Sequence, residues 1–394
     1  MSTKALASGI CAMLAIAAAP LASSASTAAG SWTATASMST ARSSMTATPL
    51  AGGRVLVVGG VGEPTTELYD PPTGTWIPGG TLTEPRGLHQ AVRLRDGRVL
   101  VAGGAYTASA ELYDPATNRW TPTGSMSVDR HSSTATLLRD GRVLVVGGHS
   151  GNGTGVQASA ELYDPATGRW TLTGSLRTPR RDHTATLLAD GTVLVAGGFS
   201  SGEPWYLRSA ELYDPVRGRW RRVTPMTAAR EHASATLLGD GRVLVAGGGN
   251  PFGTAGLSAE LYDPASGRWT PTGRMADYWG PEAVLLQDGS VLRAGGGEAG
   301  GVYSPATGTW TATGPRFHGL VGGAALALLP NGQVLSVGGD LDCAGVATQH
   351  PPPVSWRSGV LQDLTGPLEL IQAAPIRHDL HCSRVIAQTL PAAS

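Results

Sequence analysis

The sequence predicts an all-β fold made of repeated small antiparallel sheets, and three observations support this prediction. A double glycine recurs along most of the chain at separations of 43 to 50 residues, which is the length of one four-stranded unit in repeat proteins. An Asp-Gly or Asn-Gly pair precedes six of the seven double glycines and favours a tight turn between two strands. One tyrosine and one tryptophan follow most of the double glycines in register. The double glycines are Gly59-Gly60, Gly103-Gly104, Gly147-Gly148, Gly197-Gly198, Gly247-Gly248, Gly295-Gly296 and Gly338-Gly339.

The fourth unit shows how each repeat divides into four strands. Residues 183–188 are β-prone, Asp190-Gly191 predicts a type I′ turn, and residues 193–196 form an apolar strand that ends at the double glycine. A loop then precedes a third strand at residues 210–215, and a fourth strand begins at Arg219-Trp220. A single sheet of this size cannot bury both of its faces, whereas sheets stacked around an axis can. The sequence therefore predicts a β-propeller.

Large aromatic residues in register supply the apolar area between neighbouring blades. They are Tyr69, Tyr113, Tyr163, Tyr213, Tyr262 and Tyr303 in the third strands, and Trp76, Trp120, Trp170, Trp220, Trp269 and Trp310 in the fourth strands. Trp32 precedes Met38 by the same six residues that separate Trp120 from Met126. Residues 31–37 are therefore expected to supply the missing fourth strand of the seventh unit. We predict seven blades, with six blades plus an irregular C-terminal part as the alternative.

The N-terminus predicts export, either to the extracellular space or to the periplasm. Lys4 precedes an apolar run, and small residues near Ala25 offer a cleavage site, so residues 1–25 are expected to be a secretory signal peptide. The propeller is assigned to residues 31–357 and a C-terminal tail to residues 358–394. No later segment has the length of a membrane span. Cys343 and Cys382 remain after cleavage, and a disulfide between them is favoured over two free thiols in an oxidising compartment.

The formal net charge is zero, so no overall field favours nucleic acid as a partner. The sequence contains no phosphate-binding loop, no nucleophile elbow and no Cys or His cluster with zinc spacing. Catalytic residues are therefore not assigned, and neither a metal nor a cofactor is expected.

The segments ATLLADGTVLVAGG (185–198) and SAELYDPVRGRW (209–220) resemble the kelch repeat, especially its bacterial form. They are also similar to the propeller of the galactose oxidase and glyoxal oxidase group, and the resemblance covers about residues 31–340. It implies a propeller fold but not one activity, because such propellers bind peptides, bind glycans or carry out copper-radical oxidation.

The copper site that this resemblance implies requires two tyrosines and two histidines, with one tyrosine cross-linked to a cysteine. One Tyr-His pair is expected just after a repeat arginine. Histidines do occur there, but the sequence contains no Tyr-His pair. They are His89, His131, His183 and His232, preceded by Leu88, Arg130, Asp182 and Glu231. No mature cysteine lies in an early blade, so the resemblance argues for the fold and against copper chemistry.

Antiparallel pairing places the loops after the double glycines, and the loops that enter each first strand, on one face of the propeller, which we call the loop face. Aromatic, arginine and histidine side chains on this face are the candidate binding residues, because they stack on sugar rings or anchor protein side chains. The candidates are Phe199, Trp205, Tyr206, Arg208, Phe252, Tyr278, Trp279, Tyr106, His183 and Arg180. The alternative is that the aromatic residues fold inward and plug the channel, and the histidines are more often structural than ligands.

Five repeat arginines precede the first strands, and five third strands contain a glutamate. The arginines are Arg42, Arg86, Arg130, Arg180 and Arg230, and the glutamates are Glu67, Glu111, Glu161, Glu211 and Glu260. Unit 6 has Tyr278 and Gly301 at these two positions, so both charges are lost together. A structural ion pair is therefore favoured over ligand binding, because a buried charge requires a partner.

The function that these features favour is a secreted scaffold that binds an extracellular glycan or a protein surface, without nucleic acid as a partner. Two alternatives remain: an extracellular enzyme of the propeller oxidase type with an unrecognised site, and a structural protein of the cell envelope.

Overall fold

The computed structural model describes residues 32–104, 106–153, 155–249, 256–276, 282–294, 299–315, 324–338 and 388–389. All regular secondary structure in this part of the chain is β-strand. These residues contain no helix long and apolar enough to span a membrane.

Six four-stranded antiparallel sheets follow one another along the chain, and we call them blades 1 to 6. A short strand β1 (Thr33–Ala34) precedes them. Blade 1 contains β2 (Thr46–Pro49), β3 (Val55–Val58), β4 (Thr65–Asp70) and β5 (Thr75–Thr81). Blade 2 contains β6 (Gln90–Arg93), β7 (Val99–Ala102), β8 (Ala110–Asp114) and β9 (Arg119–Thr123). Blade 3 contains β10 (Thr134–Leu137), β11 (Val143–Val146), β14 (Ala160–Asp164) and β15 (Arg169–Thr173), and a small hairpin of β12 (His149–Ser150) and β13 (Gly155–Val156) interrupts it.

The later blades repeat the same order. Blade 4 contains β16 (Thr184–Leu187), β17 (Val193–Ala196), β18 (Ala210–Asp214) and β19 (Arg219–Val223). Blade 5 contains β20 (Ser234–Leu237), β21 (Val243–Ala246), β22 (Ala259–Asp263) and β23 (Arg268–Thr272). Blade 6 contains β24 (Ala283–Leu285), β25 (Val291–Arg293), β26 (Ala299–Ser304) and β27 (Thr309–Pro315). The four strands predicted for the fourth unit are confirmed, and every predicted end lies within one residue of the observed end.

The turn between the first two strands of a blade differs from the predicted type I′. In blade 4 the Leu188 amide donates to the Thr192 carbonyl and the Gly191 amide donates to the Leu188 carbonyl. Gly191 has a φ of 87°, whereas Asp190 is not among the residues with positive φ. A type I′ turn needs positive φ at both central residues, so the observed turn is the three-residue form that ends in a left-handed glycine. The Asp190 carboxylate accepts instead from the amide and the hydroxyl of Thr192.

The double glycines bring neighbouring blades together. A Cβ on Gly197 would lie 2.5 Å from the carbonyl oxygen of Arg230 in the next blade, so only glycine fits there. The Gly198 amide donates to that same carbonyl at 2.8 Å. This close approach joins the end of the second strand of one blade to the loop that enters the following blade.

Apolar residues between the blades form the core. In one interface Leu194 and Leu212 of blade 4 pack with Val243, Tyr262 and Trp269 of blade 5. The rings of Tyr262 and Trp269 lie 4.9 Å apart between centroids, and the other five blades repeat this pair at 4.9 to 5.2 Å. The predicted role of the aromatic residues in blade packing is therefore confirmed.

A seventh sheet combines the two ends of the described chain. Its strand order is β28 (Ala325–Leu328), β29 (Val334–Val337), β30 (Gln388–Thr389) and β1, all antiparallel. The first strand β28 of this sheet contacts both β24 of blade 6 and β2 of blade 1. β1 lies at the outer edge, which is the position expected for residues 31–37, whereas β30 was not predicted.

Candidate functional site

A connected arc of backbone lies on the loop face, where the chain enters the first strands of blades 1 to 5. It contains one residue from each blade, at the second position after the repeat arginine, and we call it the mouth arc. Its members are Ser44, Leu88, Ser132, Asp182 and His232, with φ values from 52° to 57°. Each amide after Ser44 donates to the carbonyl of the preceding member at 2.9 to 3.3 Å. Left-handed backbone at non-glycine residues is uncommon and concentrates at functional sites. The mouth arc is therefore a candidate location for a functional site.

The repeat arginines lie below this surface in ion pairs, as favoured from the sequence. The pairs are Arg42–Glu67 at 3.1 Å, Arg86–Glu111 at 3.0 Å, Arg130–Glu161 at 2.8 Å, Arg180–Glu211 at 3.1 Å and Arg230–Glu260 at 2.8 Å. All five arginine side chains are fully buried. The candidate binding role of Arg180 is therefore wrong, because its guanidinium is also engaged by the carbonyls of Gly197 and Ser209 and cannot reach a ligand.

His183 is a second candidate that the structure removes from the binding surface. It is 7% exposed, and its Nε2 lies 2.9 Å from the Thr134 hydroxyl of the preceding blade. His89 has the equivalent contact with Thr46 at 2.9 Å. Burial, followed by the nearby Arg180 charge, lowers the pKa of His183 to about 3, and burial with Arg86 does the same for His89. Both imidazoles are therefore neutral, and each links two neighbouring blades through a hydrogen bond.

We expect the protein to lose stability as the pH falls from 7 to 5, because the unfolded chain binds protons at these histidines that the folded chain does not. With a folded pKa of about 3 and an unfolded value of 6.5, each histidine contributes a loss of roughly 2 kcal/mol at pH 5. Urea denaturation at both pH values measures it. His183→Gln should reduce the acid-induced loss by about 2 kcal/mol, and an unchanged loss in this variant would contradict the assignment.

Two aromatic candidates project from the loop face into solvent. Tyr106 is 73% exposed and Trp205 is 55% exposed. The Tyr106 ring lies against the backbone of Gly151 in blade 3, where a Cβ would come within 2.5 Å of it. The loop that carries Trp205 is closed by the Ser200 amide, which donates to the Trp205 carbonyl at 2.7 Å. Trp205 is therefore exposed on a loop whose backbone is held, and Tyr106 is exposed with its ring in contact with Gly151.

The other candidates of the blade 4 loop connect Trp205 to the mouth arc. Phe199 and Tyr206 are half-buried and meet edge to face at 5.6 Å between centroids. The Arg181 guanidinium lies over the Phe199 ring at 4.6 Å and pairs with the Asp182 carboxylate. Arg208 is exposed.

A cluster of titratable side chains sits on the mouth arc between blades 4 and 5. Its members are Asp182, Glu231 and His232, and one potential ligand atom of each lies within 4.8 Å of the others. The His232 Nε2 lies 3.1 Å from the Asp182 Oδ1. The Asp182 side chain is only 5% exposed, whereas His232 is 55% exposed. Within the described part of the chain, the Glu231 Oε2 is buried without a hydrogen-bond partner.

The environment shifts all three pKa values. The hydrogen bond to Asp182 raises the pKa of His232. Burial alone would raise the pKa of Asp182, but the contacts with His232 and the charge of Arg181 lower it overall. Burial raises the pKa of Glu231, and the Asp182 charge adds to this increase. The cluster therefore holds one well-compensated carboxylate, Asp182, and a second, Glu231, whose Oε2 has no hydrogen-bond partner among the described residues.

Two further histidines lie beside this cluster on blade 3. The rings of His131 and His149 are 5.0 Å apart between centroids, and their backbones pair through two hydrogen bonds. Burial, then the neighbouring His149, lowers the pKa of His131. Sequence inspection missed this grouping because Asp182 and the adjacent pair Glu231 and His232 belong to different blades and lie about 50 residues apart in the sequence. The only indication of the cluster in the sequence was that its polar residues occur one or two positions after successive repeat arginines.

Several predicted features lie outside the described residues. They are Phe252, Tyr278, Trp279, Cys343 and Cys382, so the binding role of the first three and the disulfide stay predictions.

Comparison with known proteins supports the architecture. A family model described as the kelch motif matches residues 130–177 and 180–227. Among solved structures, the chain is similar to a fungal alcohol oxidase of the AA5 family in complex with copper, with a TM-score of 0.66 and 20% identity over 80% of this chain and 74% of that one. It is also similar to YjhT, with a TM-score of 0.55 and 15% identity over 70% of this chain and 98% of that one. No curated protein sequence matches.

The chain is thus a β-propeller that carries kelch motifs, and its fold is that of the galactose oxidase-type and YjhT propellers. At these identities the likeness defines the fold alone. The copper site implied by the resemblance does not fit the residues present, because no Tyr-His pair follows any of the repeat arginines.

Proposed function

We propose that this protein is a secreted binding scaffold that recognises an extracellular glycan or protein surface through the loop face. The observation that supports the proposal best is the pair of mostly exposed rings, Trp205 on a loop closed by a backbone hydrogen bond and Tyr106 in contact with Gly151. Exposed aromatic rings in fixed positions supply contact area at little entropic cost.

The chemistry around these rings favours a glycan over a protein surface. Arg181, Asp182 and Glu231 offer planar groups that hydrogen-bond to hydroxyls, and an aromatic ring stacks on the apolar face of a sugar. The contacts from Phe199 through Arg181 to Asp182 join the aromatic loop of blade 4 to these polar groups.

We expect Trp205→Ala and Tyr106→Ala each to weaken glycan binding by about 1–3 kcal/mol, because each removes an exposed contact ring. Their free energies of unfolding should stay within about ±0.5 kcal/mol of the wild type, since neither ring is part of the core. A glycan array identifies the ligand, and calorimetry with the best glycan measures the loss.

The matched control is Val216→Ala, which removes a side chain that is 92% exposed in the turn between β18 and β19, at the end of blade 4 opposite the loop face. It should leave binding unchanged. Equal binding by Trp205→Ala, Tyr106→Ala and the wild type would refute a contact role for the rings. An array without glycan ligands, together with a protein partner whose binding both variants weaken, would assign the same face to a protein.

The scaffold is further proposed to be a seven-bladed propeller closed by β1. The order β28, β29, β30, β1 and the contacts of β28 with its two neighbours support this closure. Export with residues 1–25 as the signal and a Cys343–Cys382 disulfide are parts of the same proposal.

A second candidate is an extracellular enzyme whose site is the Asp182, Glu231 and His232 cluster. Two carboxyl groups in different environments beside an imidazole are the groups that general acid–base chemistry uses. Turnover of an array-identified glycan that is abolished by Glu231→Gln, with binding retained, would favour this candidate over a pure scaffold.

A further inference from the structure

The cluster on the mouth arc is positioned before any ligand arrives. The Asp182 amide donates to the Ser132 carbonyl at 3.0 Å, and the His232 amide donates to the Asp182 carbonyl at 2.9 Å. Glu231 exchanges two backbone hydrogen bonds with Gly249 at 2.9 and 3.1 Å. The three side chains therefore start from fixed backbone in adjacent blades, as a preorganised site requires.

The charges in this region leave an excess of negative charge. Asp182 is compensated by Arg181, which pairs with its Oδ2, and by His232 at its Oδ1. Among the described residues Glu231 forms no ion pair, and its Oε2 is buried without a hydrogen-bond donor. His131 lies beside the cluster on blade 3, and its ring packs against that of His149. Asp129 is held by Ser150 and the Gly151 amide. An oxygen removed from water without a donor is unfavourable, and a bound cation would correct this.

The donor set and its geometry suit one class of cation. Two carboxylate oxygens and one imidazole nitrogen are ligands for first-row divalent ions such as Zn²⁺, whereas Ca²⁺ takes six to eight oxygens. Two ligands of one tetrahedral zinc ion lie about 3.4 Å apart. The Asp182 Oδ1 and His232 Nε2 are already 3.1 Å apart, and all three ligand atoms lie within 4.8 Å. The exposed side of His232 leaves room for water or another ligand to complete the coordination.

We propose that Asp182, Glu231 and His232 bind one divalent first-row metal ion of the zinc class at the loop-face mouth of the propeller. Arg181 keeps the Asp182 Oδ2 and so orients Oδ1 toward the ion. This set of two carboxylates and one imidazole differs from the copper-radical ligands, since it includes no phenol.

Zinc titration of the chelator-treated full chain by calorimetry tests the proposal. We expect one Zn²⁺ per chain, and at least tenfold weaker binding in Glu231→Gln and in His232→Gln. Glu231→Gln is the key variant because the Glu231 Oε2 makes no hydrogen bond whose loss would unfold the protein. Circular dichroism checks that each variant is folded.

The control variant is Glu203→Gln, which neutralises an exposed carboxylate on the same face and should bind Zn²⁺ like the wild type. His131→Gln tests the neighbouring histidine pair and should change zinc affinity less than threefold. The proposal is overturned if the wild type binds no zinc, if Glu231→Gln binds it with wild-type affinity, or if His131→Gln alone abolishes binding. Zinc is titrated in the absence of glycan, and glycan binding is tested on Trp205 and Tyr106, so the failure of zinc binding and the failure of the scaffold proposal are separate results.

Discussion

Glu211→Gln should destabilise the protein by about 3–5 kcal/mol, because it leaves the Arg180 guanidinium buried without its counter-charge. The Arg180 side chain is fully buried and lies 3.1 Å from the Glu211 Oε1. The same carboxylate also accepts from the amides of Arg177 and Thr178 at 3.0 and 3.3 Å. A glutamine cannot satisfy all of these donors, since its amide nitrogen is itself a donor. Urea denaturation measures the change in the free energy of unfolding.

Asp214→Asn is the matched control, because its partner Arg217 is an exposed cation on the opposite turn of the same blade. It should have no measurable effect, as solvent screens such pairs. A loss of less than 1 kcal/mol in Glu211→Gln would show that water reaches the pair and that Arg180 is not isolated from solvent.

The repeated parts of the fold were predictable because each of their residues obeys a local rule. Apolar runs such as Val193–Ala196 form central strands that are buried on both faces, and the double glycine after them is required by the approach of the next blade. The pairing of Arg180 with Glu211 could also be predicted from the sequence, because unit 6 lacks both the arginine and the glutamate at the corresponding positions.

Side-chain direction and contacts between units were not predictable in the same way. Arg180 and His183 lie near the loop face in sequence, but their side chains turn into the interface between blades. Asp182 and His232 meet only because a backbone hydrogen bond joins adjacent blades. Strand β30 has no repeat pattern to reveal it, since pairing with β29 and β1 alone defines it.

Trp32→Ala should destabilise the protein by about 3–5 kcal/mol, because it removes a large buried side chain from the interface between blade 6 and the seventh sheet. Trp32 is 6% exposed and packs with Leu292 and Ala294 of blade 6 and Val334 of β29. Its indole nitrogen donates to the Thr313 hydroxyl at 3.4 Å. The tryptophans of blades 3 to 6 donate in the same way to the preceding blade, as Trp220 does to the Gly174 carbonyl at 2.6 Å.

This prediction tests the closure of the ring, because a frayed N-terminal segment would tolerate the substitution. The matched control is Trp205→Ala, which removes the same side chain from an exposed loop and should leave stability within about ±0.5 kcal/mol. Thr35→Val removes a hydroxyl that lies 2.9 Å from the Tyr69 hydroxyl of blade 1. This single variant should lower the free energy of unfolding by about 1 kcal/mol. If Trp32→Ala were as stable as the wild type in urea denaturation, β1 would not close the propeller, and six blades with a separate C-terminal part would describe the protein better.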